Sequence, residues 1–343
     1  MSVLPTPSAA LCLLALSVSS PVHAHPLSPS LLQLDELAAG RFEVTLKTPR
    51  VRARGLTPEP RMPPHCTMVA ASAPDAMTAE AHSRHWSLDC PGGLRGVPIA
   101  IDGLQPGRDT GIVRIVHRDG RVVQQLVSGD APALAVTQPQ GAAAVAAQYI
   151  GLGMRHLWLG LDHVLLLLAL VLLIRGRRTL LLAITAFTAG HSVTLALAAL
   201  GLLHIPAALA ELAIAASLLA VAVELPSAMS AAGARVDSPW VRRPYLLSGL
   251  VGLLHGLGFA SALRGVGLPQ DALPLALASF NVGIEAAQLL ALIPLVLLCH
   301  MLRRAALVRP WPRLGLAYAI GVPAAYWSFE RGALLSEQMG SWS

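Results

Sequence analysis

His156, His163, His191 and His255, with the carboxylates Asp162 and Glu285, stand in stretches that are otherwise almost wholly apolar. An ionisable side chain in hydrocarbon is costly, so each one there marks a site by default. Imidazoles with carboxylates form a borderline-soft ligand set suited to Ni²⁺, Co²⁺, Zn²⁺ or Cu²⁺. Asp162 could ligate directly or could orient a neighbouring imidazole. Around them lie Thr188, Ser192, Glu211, Ser217, Asn281 and Gln288, which read as supporting groups along a pathway. Asn281, Glu285 and Gln288 recur at i, i+4 and i+7, a single polar stripe on a helix. Counted at 1.5 Å per residue, Glu211, His163, His255, Asn281, His191 and Glu285 fall between roughly 8 and 20 Å below the outer face of the membrane. Thr185 and Thr194 read as hydrogen-bonding glue between helices. Glu224, near an inner helix end, reads as a residue that reaches back to the surface.

The elements that must position these groups follow from composition. The chain has 343 residues, of which 54% are hydrophobic and only 13% charged, against about 25% charged in soluble domains. An ordinary soluble enzyme and a disordered chain are both excluded. Residues 25–140 carry 11 of the 19 acids, so a polar domain precedes an apolar one. Six apolar segments follow, at about 157–174, 179–201, 206–226, 245–263, 272–301 and 314–329, each near the ~18 residues that a spanning helix needs. His156 and His163, two turns apart, are expected on one face of the first. Ten arginines fall in three alternate loops: Arg175, Arg177, Arg178; Arg235, Arg242, Arg243; and Arg303, Arg304, Arg309, Arg313. That asymmetry places these loops in the cytoplasm. The net charge of +6 is thus spent on topology, and a nucleic-acid partner is not expected.

The amino terminus agrees. An apolar core at Ala9–Val18 precedes Val22-His23-Ala24, a small-x-small cleavage signal, so residues 1–24 read as a secretory signal peptide. The mature chain would begin at His25, whose amine and imidazole make a chelator for metal capture. Residues 25–130 are then a periplasmic domain, read as a small β-sandwich. Leu31–Leu37 and Phe42–Lys47 flank a turn, and Ile112–Arg118 and Arg121–Val127 flank Asp119-Gly120, which predicts a type I′ hairpin. His65, His82, His85 and His117 read as surface histidines. Cys66 and Cys90, in an oxidising compartment, are expected to pair. A thiol metal site is the alternative, though it favours closer spacing. Residues 131–148 read as linker and interfacial segment, 149–330 as a six-helix permease-like domain and 331–343 as a tail.

Two further patterns concern the helices. Ser248, Gly252, Gly256 and Ala260 recur every four residues, which lets a neighbouring helix approach closely. Residues 186–192 (AFTAGHS) resemble residues 279–285 (SFNVGIE), and Gly160-Leu161-Asp162-His163 faces Gly256-Leu257-Gly258-Phe259. Inverted three-helix repeats with a site near the midplane are the corresponding architecture. The fold class is thus a multi-pass α-helical membrane protein of about six spans with an exported β-sandwich-like domain.

His156-Leu-Trp-Leu-Gly-Leu-Asp162-His163 resembles the His-x5-Asp-His signature of the HupE/UreJ membrane proteins. Thr185–Leu195, Leu254–Ala260 and Phe280–Glu285 are similar to further motifs of that family. The stretch AHPLSPSLL after the signal resembles its longer branch with an exported domain. The chain departs from the pattern at Leu225, after Glu224, where an Asn is more typical. The resemblance implies a secondary permease of the bacterial inner membrane for nickel, or else cobalt, linked to hydrogenase or urease maturation. It implies a metal path through His156, Asp162, His163, His191, His255 and Glu285. The cargo could also be Zn²⁺ or Cu²⁺ on ligand chemistry alone. No prosthetic group and no nucleotide-binding loop is expected. Two other readings stay open: an intramembrane zinc hydrolase using Ser192 or a bound water, and a metal-sensing or assembly protein.

Overall fold

The structure is a computed structural model. It describes residues 29–340 except 50–56, 78–80, 95, 106–108, 121, 132, 136–140, 175, 229–238, 267–271 and 307–310. The expected signal peptide and His25 lie outside the described residues.

The polar part is β-rich. Nine strands run β1 Ser30–Ala38, β2 Arg41–Pro49, β3 Glu59–Arg61, β4 Thr67–Met77, β5 Ala81–Asp89, β6 Pro98–Asp102, β7 Thr110–Val116, β8 Val122–Ser128 and β9 Ala133–Ala135. Six form one sheet in the order β4-β5-β2-β1-β7-β8, and three form another, β3-β6-β9. Strand β2 shows why: Phe42, Val44 and Leu46 are buried while the residues between them are not, the period-2 alternation of a half-buried strand. Ile99 and Ile101 of the small sheet share one apolar core with Leu32, Leu34, Val113 and Ile115 of the large one. One pairing differs from an all-antiparallel sandwich: β1 and β7 are parallel.

Cys66 and Cys90 form a disulfide across the outer ends of the β4–β5 hairpin. The turn before β8 is not type I′. Gly120 N–H donates to His117 O, and Gly120 has positive φ but Asp119 does not. Gly120 alone supplies the left-handed residue, so the loop is a longer turn ending in glycine. The histidines here have local partners: His85 Nδ1 lies 3.0 Å from Thr45 Oγ1 and His117 Nδ1 lies 3.2 Å from Glu36 Oε2.

The apolar part is helical: α1 Ala142–Leu159, α2 Leu161–Leu173, α3 Arg177–Ala199, α4 Ala207–Ala228, the short α5 Pro239–Arg242, α6 Pro244–Val266, α7 Leu273–Ala306 and α8 Trp311–Gly340. Among the described residues, α3, α4 and α7 are each long and apolar enough to cross a membrane, and α1 with α2 makes a fourth, bent candidate. Less than half of the apolar window of each single span is buried. Val223, Ile293, Leu297 and Val322 face outward. Helices apolar on both faces belong in a bilayer, and the chain is a membrane protein.

Two boundaries differ from the sequence reading. Residues 133–135 are the ninth strand and α1 begins at Ala142, both within the stretch 131–148 read as linker and interfacial segment. The expected tail continues α8. Its Arg331 is buried and its Nε donates to Glu211 Oε2 on α4 at 3.0 Å. Arg331 joins two helices.

Glycines set the closest helix contacts. A Cβ on Gly252 (α6) would collide with the Phe187 carbonyl of α3, and one on Gly190 (α3) with the Gly249 carbonyl of α6. The same reciprocal pair joins α1 and α7: Gly153 meets the Phe280 carbonyl and Gly283 meets the Ile150 carbonyl. Phe187 and Phe280 are 93 residues apart, as are Gly190 and Gly283; Gly153 and Gly252 are 99 apart, as are Ile150 and Gly249. The α3–α6 and α7–α1 contacts are therefore two copies of one packing unit. In these contacts α3 aligns with α7 at an offset of 93, as AFTAGHS aligns with SFNVGIE, and α1 aligns with α6 at 99 and not the expected 96. Gly252→Val or Gly153→Val should lower stability by about 1–3 kcal/mol through overpacking, read as a lower melting temperature in detergent. Gly151→Ala, which meets nothing, should leave that temperature unchanged or raise it.

Candidate metal centre

The centre begins with a broken helix. At Gly160 the backbone leaves the α-region, with φ −81° and ψ 94°, and α2 departs from α1 at 73°. A side chain there would press on His163 Nδ1, the His156 carbonyl and Asp162 Oδ1, so the bend needs glycine. In a continuous helix seven residues rise about 10.5 Å. Across the break, the rings of His156 and His163 have centroids 4.8 Å apart. The two histidines do meet, but because the helix breaks between them and not because they share a helical face.

Asp162 sits in the first turn of α2, where a carboxylate complements the positive helix end. Its Oδ1 accepts the His163 backbone N–H at 2.8 Å and lies 2.8 Å from His163 Nδ1. A proton on Nδ1 directed at the carboxylate leaves Nε2 as the coordinating nitrogen, the carboxylate–histidine arrangement typical of metal sites. Asp162 is thus placed to orient His163 and remains close enough to ligate.

His191 comes from α3 and His255 from α6. Both are almost completely buried, at 0% and 1% exposure. His255 and His163 have centroids 4.9 Å apart; His156 and His191 are 6.0 Å apart. Two phenylalanines wall the cluster. Phe187 lies 5.3 Å from His255 and 6.1 Å from His163. Phe280 lies 5.5 Å from His156 and stacks on His191 at 6.4 Å. The sequence reading did not assign them; the signal was their alignment in the AFTAGHS and SFNVGIE repeat. Apolar walls exclude water and strengthen every ion–ligand interaction inside.

Ligand atoms of His156, His163 and His191 lie within 4.8 Å of one another, and so do those of Asp162, His163 and His255. Nε2 of His163, Nε2 of His191 and both ring nitrogens of His255 are buried and have no hydrogen-bond partner among the described residues. Buried polar atoms are normally satisfied. Lone pairs left uncommitted and held close together are what a soft divalent cation requires.

The remaining predicted residues lie outside both groups. Glu285 Oε1 accepts the Thr185 hydroxyl at 2.7 Å, so the expected ligand is held at the rim. The reason is the α7 stripe itself: Asn281, four residues earlier, occupies the place beside His191, with Oδ1 3.3 Å from His191 Nδ1. Gln288 accepts from Thr188 at 2.9 Å. Three contacts therefore lace α3 to α7. Ser192 donates to Thr188 O and Ser217 to Ile214 O, each within its own helix. Glu211 is paired with Arg331.

Asp162→Asn should weaken divalent-ion binding by about 10–100-fold, measured calorimetrically with Co²⁺ or Ni²⁺ in detergent. Glu285→Gln should weaken it less than threefold.

No curated protein and no solved structure matches the chain. Residues 133–331, which hold every helix of the centre, match the family described as HupE / UreJ protein, and the chain belongs to that family.

Proposed function

We propose that this chain is a secondary permease for a divalent transition-metal ion, nickel first and cobalt second. The carrying observation is the convergence of four buried imidazoles and one carboxylate from α1, α2, α3 and α6. The HupE/UreJ family is associated with nickel or cobalt transport or maturation, which favours these two ions over Zn²⁺ and Cu²⁺. On this reading the helices make six crossings of the bacterial inner membrane: α1 with α2, then α3, α4, α6, α7 and α8. The β-rich domain then lies in the periplasm and the arginine-rich loops in the cytoplasm. The hydrated ion arrives from the outer side and exchanges water for imidazole nitrogens. It leaves inward when the two halves rearrange.

The zinc-hydrolase reading shares the three-imidazole set. The Ser192 hydroxyl donates to the Thr188 carbonyl of its own helix, so on that reading the nucleophile would be a bound water.

The test is uptake of ⁶³Ni²⁺ into proteoliposomes containing the purified chain. Wild type should accumulate the ion well above empty vesicles, and His163→Ala should fall at least 100-fold. Equal uptake by both would overturn the reading. Lipid or peptide cleavage that needs bound zinc and His163 would establish the hydrolase instead.

A further inference from the structure

We infer that the ion occupies two overlapping ligand sets in turn, with His163 as the shared pivot. The outer arms of the sets are His156 with His191 on one side and Asp162 with His255 on the other. This rests on the permease reading and adds how the cargo moves within it.

Three observations carry the inference. First, the ligand atoms fall into two compact groups that share His163, and neither group contains both His156 and His255. With metal–nitrogen bonds of about 2.0–2.1 Å, ligand atoms on one ion lie within about 4.2 Å of each other. Each group approaches that dimension. The His163 ring sits midway, 4.8 Å from His156 and 4.9 Å from His255.

Second, His156 and His255 are counterparts in the internal repeat. They are 99 residues apart, the same offset as Gly153 to Gly252 and Ile150 to Gly249. Each lies one turn beyond the glycine that receives the carbonyl of Phe280 or Phe187. The packing unit α1–α7 therefore presents His156, and α6–α3 presents His255. A motion that tightens one unit and loosens the other offers the ion one of these imidazoles at a time.

Third, the two sets are chemically unlike. The repeat counterpart of His191 is Ile284, so one set is three imidazoles and the other is two imidazoles and a carboxylate. Unlike sets differ in their affinity for the ion, because ligand softness and charge differ between them. In the step itself the ion breaks its bonds to His156, His191 and Nε2 of His163 and forms bonds to Asp162, His255 and Nδ1 of His163, while the proton on Nδ1 is lost to water and one is gained at Nε2. No electron is transferred and the ion keeps its charge.

The experiment combines stoichiometry, Co²⁺ visible spectra and ⁶³Ni²⁺ uptake in full-length protein. Variants are His156→Ala, His255→Ala and His163→Ala, with His156→Gln and His255→Gln as smaller changes, and all are checked for monodispersity in detergent. Wild type should bind one ion. The His156 and His255 variants should each still bind one Co²⁺, at most about tenfold more weakly. Their spectra should differ from each other, and uptake by both should fall more than 100-fold. His163→Ala should lose binding and uptake together. Two ions bound at once, complete loss of binding in both the His156 and His255 variants, or uptake above one-tenth of wild type in either would overturn the exchange while leaving the permease. A wild type that neither binds nor moves the ion would overturn the permease reading, and the exchange with it.

Discussion

Everything in the membrane part is arranged around the contact between Asp162 and His163. An imidazole has two nitrogens, and in a dry interior each must be satisfied or committed to a ligand. With Nδ1 against the Asp162 carboxylate, only Nε2 of His163 is left for the cavity. The carboxylate is itself anchored by the His163 backbone N–H at the start of α2. That anchoring exists only because the helix restarts at Gly160, so a first-turn position is available in the middle of an apolar span. The bend also turns His156 toward His163, closing a gap that a straight helix would leave at about 10.5 Å.

The packing around this contact serves proximity. In a bilayer there is no hydrophobic drive to push helices together, so close approach comes from small residues and hydrogen bonds. Gly153, Gly190, Gly252 and Gly283 let helix backbones touch. The contacts from His191, Thr188 and Thr185 to α7 then fix the register of α3. Phe187 and Phe280 use the same close approach differently: their carbonyls meet glycines while their rings face the histidines. One residue thus couples helix packing to ring orientation, which is how a change in one packing unit reaches the ligands.

The sequence disclosed His156, Asp162, His163, His191 and His255 because charge is so scarce that each ionisable group stands out. It did not disclose the break at Gly160. Glycine is tolerated in spanning helices without bending them, and the residues on both sides are good helix formers. The repeat was legible through Phe187 and Phe280, yet the glycine pattern of α6 allowed more than one alignment with α1. Only the reciprocal carbonyl contacts select the offset of 99. Glu285 lies one turn along the same stripe from Asn281, so it meets Thr185 while Asn281 meets His191. In the β-rich domain, alternation located β1, β2, β7 and β8, whereas the parallel pairing of β1 with β7 brings together strands some eighty residues apart and leaves no local signal.

The structure also separates two kinds of ionisable group that look alike in the sequence. Arg331 and Glu211 are costly in a membrane, but each satisfies the other. Glu285 is satisfied by Thr185. Such groups hold helices together, and removing one partner leaves the other uncompensated. His191 and His255 are different, since they are equally buried but retain nitrogens that nothing in the described protein engages. A bundle gains nothing from leaving lone pairs unspent in hydrocarbon, and satisfying them with a serine or threonine would be a simple matter of sequence. Their retention beside His163 and one carboxylate is consistent with a ligand that comes from outside the chain.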